Sequence, residues 1–172
     1  LAMPVMSGDS IYAIMIYLVM YLFMNLGAFF VVIAVKNKTG GETFDDYKGL
    51  GWEMPMIGVA MTIFMVSLTG LPPTAGFIGK FYIFASLIKG GGQFYWLVLI
   101  GGINSVVSLY YYLRVVKVMF LEGERSETIL QPPTIMAVMI LATAIPTVIL
   151  GIYWTPVADW VQNSLTFFIQ TL

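Results

Sequence analysis

The chain has no cysteine and no histidine, and only 10% of its 172 residues are charged. The first two absences exclude disulfides, iron–sulfur clusters, Cys/His zinc sites and histidine-ligated haem. No metal or redox cofactor has an evident ligand set. Soluble domains carry about 25% charged residues, so the scarcity of charge excludes an ordinary soluble fold. Net charge is −1, which leaves no basic surface for nucleic acid. The period-two alternation of a transmembrane β-barrel is also missing. No internal repeat or low-complexity segment interrupts the chain.

What is there is apolar: 59% of residues are hydrophobic and the mean hydropathy is +0.90. Apolar runs of roughly membrane-spanning length recur along the chain, so the fold class is an all-α integral membrane protein. About four spans are expected, at 11–35, 54–88, 94–120 and 134–154, within a single membrane domain, 1–172. Asp9 and Ser10 offer an N-cap for the first span, and Pro146 is a candidate kink in the fourth. Polar loops occupy 36–53 and 121–133. The tail, 155–172, carries Trp160, Val161, Leu165, Phe168 and Ile169 near helical spacing, as an interfacial amphipathic helix would. The opening LAMPVMSGDS lacks the basic start of a signal peptide. The chain, beginning on leucine, reads as a piece of a longer protein.

The stretch 54–88 is too long. As one α-helix its 35 residues would extend about 52 Å, against a hydrocarbon core of about 30 Å. It contains Gly70-Leu71-Pro72-Pro73. Either two spans meet in a tight turn there, or one span is built from a broken helix. Cytoplasmic loops are rich in Lys and Arg. If the helix is broken within one span, both polar loops share a side. That side then holds Lys36, Lys38, Lys48, Arg114, Lys117 and Arg125, and the other holds Lys89. Two spans would erase this bias, so the broken helix, from Gly70 to Pro73, is favoured. Loops 36–53 and 121–133 would then be cytoplasmic, with both termini on the opposite side.

A break inside a membrane needs chemistry. Pro73 lacks an amide proton and Pro72 disfavours a helical Leu71. The carbonyls before the break lose their donors and must be buried in protein or line a wet cavity. Gly76 and Gly79 leave room for a neighbouring helix or water. Lys80 lies seven residues past Pro73, about 10 Å into the second half-helix. An intramembrane lysine is a functional-site candidate, because small changes in its hydration can load and unload one proton. Broken helices are also the device by which transporters hold ions at mid-membrane. The bland alternative is snorkelling, with the ammonium at the interface. Lys89, beside Gly90-Gly91-Gly92, fits that role better. Tyr17, Tyr21 and Asn25 share a face of the first span, and Gly101, Asn104, Ser105, Ser108 and Tyr112 share one on the third. These stripes suit a polar path, or simply small-residue packing and interhelical hydrogen bonds.

The segments LTGLPPTAGFIGKFYIF, MNLGAF, DDYKGLG and INSVVSLYYYLRV together resemble the antiporter-like membrane subunits of proton-pumping NADH–quinone oxidoreductase, respiratory complex I. These are related to Mrp-type sodium/proton antiporters. The resemblance is strong over residues 12–120; over 121–172 only hydropathy agrees. Within the family the subunit N pattern fits best. The subunit M pattern has glutamate at the position of Lys80, and the subunit L pattern has an acidic residue where Phe81 stands. The resemblance implies a longer bundle of two inverted repeats, each with a broken helix, of which 54–88 would be the second. It implies that Lys80 is the intramembrane lysine of the outer proton half-channel. NADH, FMN, iron–sulfur clusters and quinone would belong to other subunits, and the partners would be other membrane-arm subunits, lipid and protons. A bacterial inner (plasma) membrane, or an organellar equivalent, is the implied location. An Mrp-type cation/proton antiporter is the alternative. The chain is about a third of a whole subunit, so it is either the C-terminal part of one or a truncated relative.

Overall fold

The computed structural model describes residues 1–5, 7–123 and 129–170, with side chains up to Phe167. Arg125 and the side chains of Phe168 and Ile169, used above, lie outside the described residues. Among these residues seven α-helices follow one another: α1 (Gly8–Thr39), α2 (Leu50–Glu53), α3 (Pro55–Thr69), α4 (Ala75–Lys89), α5 (Tyr95–Leu121), α6 (Thr134–Ile152) and α7 (Thr155–Gln170). No strand occurs among the described residues. The helices α1 and α6, and the run Gly92–Leu121 that includes α5, are each long and apolar enough to cross a membrane.

Each boundary has a local cause. Helix α1 starts earlier than an Asp9 or Ser10 cap predicts. Ser7 is the cap, its Oγ accepting the Ser10 N–H at 3.2 Å while the Ser10 hydroxyl accepts the Ser7 N–H at 3.0 Å. This reciprocal pair satisfies two otherwise orphaned donors and leaves Asp9 in the first turn, where the helix dipole favours an anion. Helix α3 opens on Pro55, whose missing N–H costs nothing at that position. Helix α6 continues through Pro146. Its Thr143 and Thr147 hydroxyls donate to carbonyls of the preceding turn.

Helices α3 and α4 have 15 residues each, about 22 Å and too short to span alone. Their neighbours show how they combine. Going down α1, Lys38 pairs with Glu53, Gly27 lies under the Phe64 ring, Met24 Sδ meets the Ser67 hydroxyl, Tyr17 abuts Gly79 and Asp9 pairs with Lys89. The partners climb steadily through α3 and on through α4. Helix α5 repeats this from the other side: Gly101 faces Phe84, Ser105 meets Lys80, and Phe120 lies against Gly58 and Gly51. Two long helices thus hold α3 and α4 end to end. Residues 55–89 form one broken span, not a hairpin. A second bend, 117° between Phe44–Glu53 and Pro55–Thr69, folds the polar segment across the end of the bundle.

Packing follows the rule for lipid, where helices associate through close fit and not through a hydrophobic driving force. Phe64, fully buried, occupies the space left by Gly27. Gly151 of α6 lies directly against the Pro73 carbonyl and Thr74. One apolar cluster joins the C-terminal half of α1 to α3, with Met24, Val31, Val35, Ile57, Met61 and Phe64. A second joins its N-terminal half to α4 and α7, with Ile16, Met20, Ala75, Ile78 and Val161. Helix α7 therefore docks through Val161 and Leu165, while Trp160, grouped with them by spacing, is 59% exposed.

Candidate functional site: the helix break and Lys80

The end of α3 is built by Gly70. Its φ of +87° is a left-handed conformation that suits glycine. It lets the Leu71 N–H reach the Val66 carbonyl at 3.2 Å and the Gly70 N–H reach that of Ser67 at 2.9 Å. This Schellman pattern satisfies two of the last four carbonyls. The peptide bond between Pro72 and Pro73 is cis. Thr74 Oγ1 donates to the Leu71 carbonyl at 2.6 Å, closing the connecting turn.

Lys80 reaches back across the break. Its Nζ donates to the Thr69 carbonyl at 2.8 Å and to Ser105 Oγ at 3.3 Å, and its stem lies over Gly70. A cation at a helix C-terminus is stabilised by the partial negative charge of the exposed carbonyls. The ammonium does not snorkel to an end of the bundle. Among the described residues no carboxylate lies within ion-pair distance of it. Its counter-charge is the end of α3.

Ser105 therefore joins Lys80 directly. Its hydroxyl also donates to the Gly101 carbonyl at 3.0 Å. Ser108 donates to the Asn104 carbonyl at 2.7 Å, and Asn104 faces outward. Tyr112 and Asn25 are half-buried, and neither is hydrogen-bonded to Lys80. Tyr17 and Tyr21 stack at 5.7 Å between ring centres. Gly76 and Gly79 serve contact: Gly76 rests on the Ser67 backbone and Gly79 on Tyr17. Sequence reasoning missed the Thr69 carbonyl and Ser67. A backbone acceptor has no residue signature, and Ser67 acts nine positions away, on Gly76.

The ion pairs among the described residues gather at the two ends. At one end Lys36 pairs with Glu42 at 2.5 Å, Lys38 with Glu53, Lys48 with Asp45 at 2.6 Å and Lys117 with Glu122 at 3.1 Å. Arg114 stands 4.6 Å over the Phe44 ring. Asp46 accepts the Thr43 hydroxyl at 2.6 Å and its N–H at 2.7 Å, and these bonds hold its carboxyl below the usual range. Asp45 beside Lys48 raises that ammonium. At the other end Lys89 pairs with Asp9 at 2.9 Å.

Residues 1–108 match the family model described as NADH:quinone oxidoreductase/Mrp antiporter, TM. The chain is 49% identical over 169 residues to NADH-quinone oxidoreductase subunit N 2 of Sorangium cellulosum, covering 96% of this chain and 33% of that protein. It is 43% identical over 172 residues to NADH-quinone oxidoreductase subunit N of Chlorobium chlorochromatii, covering 98% of this chain and 34% of that one. These alignments run into 121–172, where the sequence alone offered only hydropathy. Among solved structures, a chain of respiratory complex I from Thermus thermophilus superposes with a TM-score of 0.67 at 29% identity, covering 84% of this chain and 34% of that one. A chain of the membrane-bound sulfane sulfur reductase, an archaeal respiratory membrane complex, gives 0.70 at 27% identity, covering 84% and 24%. The chain spans about a third of the length of these curated relatives.

Proposed function

Because the chain belongs to the NADH:quinone oxidoreductase/Mrp antiporter transmembrane family, we propose that it is part of a subunit N-like protein in the membrane arm of a complex I-type NADH–quinone oxidoreductase, where it contributes to redox-driven proton translocation. Lys80 carries the proton. One observation supports this most: the ammonium sits at the helix break on the Thr69 carbonyl and the Ser105 hydroxyl, and among the described residues no carboxylate pairs with it. A fixed ion pair would keep the proton; a carbonyl and a hydroxyl can hold either form of the amine. Ser105 is the first group of a path that Ser108, Asn104, Tyr112 and Asn25 extend through water. NADH, FMN, iron–sulfur clusters and quinone are handled by other subunits.

The end carrying Lys36, Lys38, Lys48, Arg114 and Lys117 faces the cytoplasm, as the bias of basic residues favours. In the assembled enzyme, Lys80→Ala lowers the protons moved per electron, and Lys89→Ala, which removes only an exposed end pair, does not. Full coupled pumping by Lys80→Ala refutes the role of Lys80. The family description also names Mrp antiporters, which favours a second reading, a cation/proton antiporter without redox partners. Co-purification separates the two: flavin and iron–sulfur subunits accompany the first and are absent from the second.

A further inference from the structure

The first helical N–H groups of α4 need acceptors, as those of every helix do. The residue at the N-cap position is Thr74, but its side chain makes no capping bond; its hydroxyl is engaged with the Leu71 carbonyl. The acceptor comes instead from the other half-helix. Ser67 Oγ, 0% exposed, accepts the Gly76 N–H at 3.0 Å and donates to Met24 Sδ at 3.4 Å. Lys80 of α4 in turn caps the Thr69 carbonyl of α3. Each half-helix thus caps the other. Both bonds span the break and share one geometry: how far the start of α4 stands from the end of α3.

We propose that Ser67 is a positioning residue for Lys80, its hydroxyl pinning the first turn of α4 to the last turn of α3 so that the ammonium falls on the Thr69 carbonyl. This rests on the reading of Lys80 as the proton carrier. The two caps are unequal. The Ser67 bond joins neutral groups sealed from water and persists whatever the state of the proton. The Lys80 bond gains from the positive charge and weakens when the amine is neutral. Ser67 is the hinge pin, and Lys80 the contact that proton transfer makes and releases. Without the pin, α4 loses its fixed distance to Thr69 and Ser105, and a misplacement of about 1 Å suffices to cost a large part of a reaction rate.

The test uses the assembled enzyme with Ser67→Ala, Ser67→Cys and Ser67→Thr beside Lys80→Ala. Cysteine replaces the hydroxyl by a somewhat larger thiol that is a weak acceptor; threonine keeps the oxygen. The readouts are amide exchange over residues 75–78, protons moved per electron, and NADH oxidation by a soluble acceptor, which reports assembly independently of the membrane arm. The expected result is that Ser67→Cys and Ser67→Ala speed Gly76 exchange about tenfold and lower the proton yield by about half or more, with NADH oxidation unchanged, and that Ser67→Thr restores slow exchange. Wild-type exchange in Ser67→Cys overturns the pin. Faster exchange with a wild-type proton yield overturns the positioning role. If Lys80→Ala also keeps its full yield, the parent reading falls; if Lys80→Ala loses yield and Ser67→Cys does not, only the Ser67 proposal falls.

Discussion

Substituting Gly76 by alanine perturbs the break with a single carbon. A Cβ at that position would be driven into the Ser67 carbonyl oxygen, 2.7 Å from the carbonyl carbon and 3.1 Å from Oγ. The obstacle is backbone, so no rotamer change relieves it. Carbon atoms pack at about 3.5–4.0 Å, so the two half-helices must part by on the order of 1 Å. That stretches the Ser67–Gly76 bond from 3.0 Å and the Lys80–Thr69 bond from 2.8 Å towards distances at which hydrogen bonds cease to count. Overpacking costs about 1–3 kcal/mol, and each hydrogen bond lost adds about 1 kcal/mol. The sum over the overpacking and the two bonds, about 3–5 kcal/mol, falls on one joint. The expected outcome is a melting temperature several degrees lower and a reduced proton yield per electron in reconstituted vesicles. Gly102→Ala is the control, because a Cβ there meets nothing within 4 Å; it leaves both quantities unchanged. Wild-type melting and pumping by Gly76→Ala would refute the claim that the half-helices are locked at van der Waals distance.

Two further outcomes follow from the ends of the bundle. The Thr43 bonds hold the Asp46 carboxyl below its ordinary value, so their contribution to the 43–47 turn is complete above about pH 3.9 and is lost as pH falls through the depressed folded value. Amide exchange at Thr43 should accelerate only in that acid window, and Asp46→Asn should abolish the window. Since the chain has no cysteine, single cysteines can report sidedness: Lys48→Cys should label from the cytoplasmic face and Gly91→Cys only from the opposite face. Labelling of both from one face would contradict a single broken span between them.

Much of this was legible because the bilayer restricts the options. Apolar run lengths located α1, α5 and α6, and the distribution of Lys and Arg favoured one broken span over two. The prolines and Gly70 marked the break because each has a backbone consequence. Lys80 stood out because a charge within an apolar, membrane-length stretch demands a reason. The rest was not legible because it depends on contacts without residue signatures. The Thr69 carbonyl is backbone, the Ser67 bond skips nine residues, and the Gly151–Pro73 contact joins segments far apart in the chain. The α1 cap falls on Ser7 and not on Asp9 or Ser10, because the reciprocal bonds between Ser7 and Ser10 depend on a pairing that residue type alone does not reveal. Trp160 and Val161 both lie near the apolar arc of α7, but only Val161 meets α1 and α4.

The central claim is that Lys80 gives up its proton, beyond capping α3. Lys80→Arg separates the two roles. Arginine keeps the positive charge and can donate to the Thr69 carbonyl, yet it does not deprotonate in proteins. The decisive measurement is the number of protons moved per electron by the assembled Lys80→Arg enzyme. The account predicts an enzyme that assembles, melts close to wild type and pumps no better than Lys80→Ala. A Lys80→Arg enzyme with the full proton yield would contradict it, leaving Lys80 as the cap of a broken helix and nothing more.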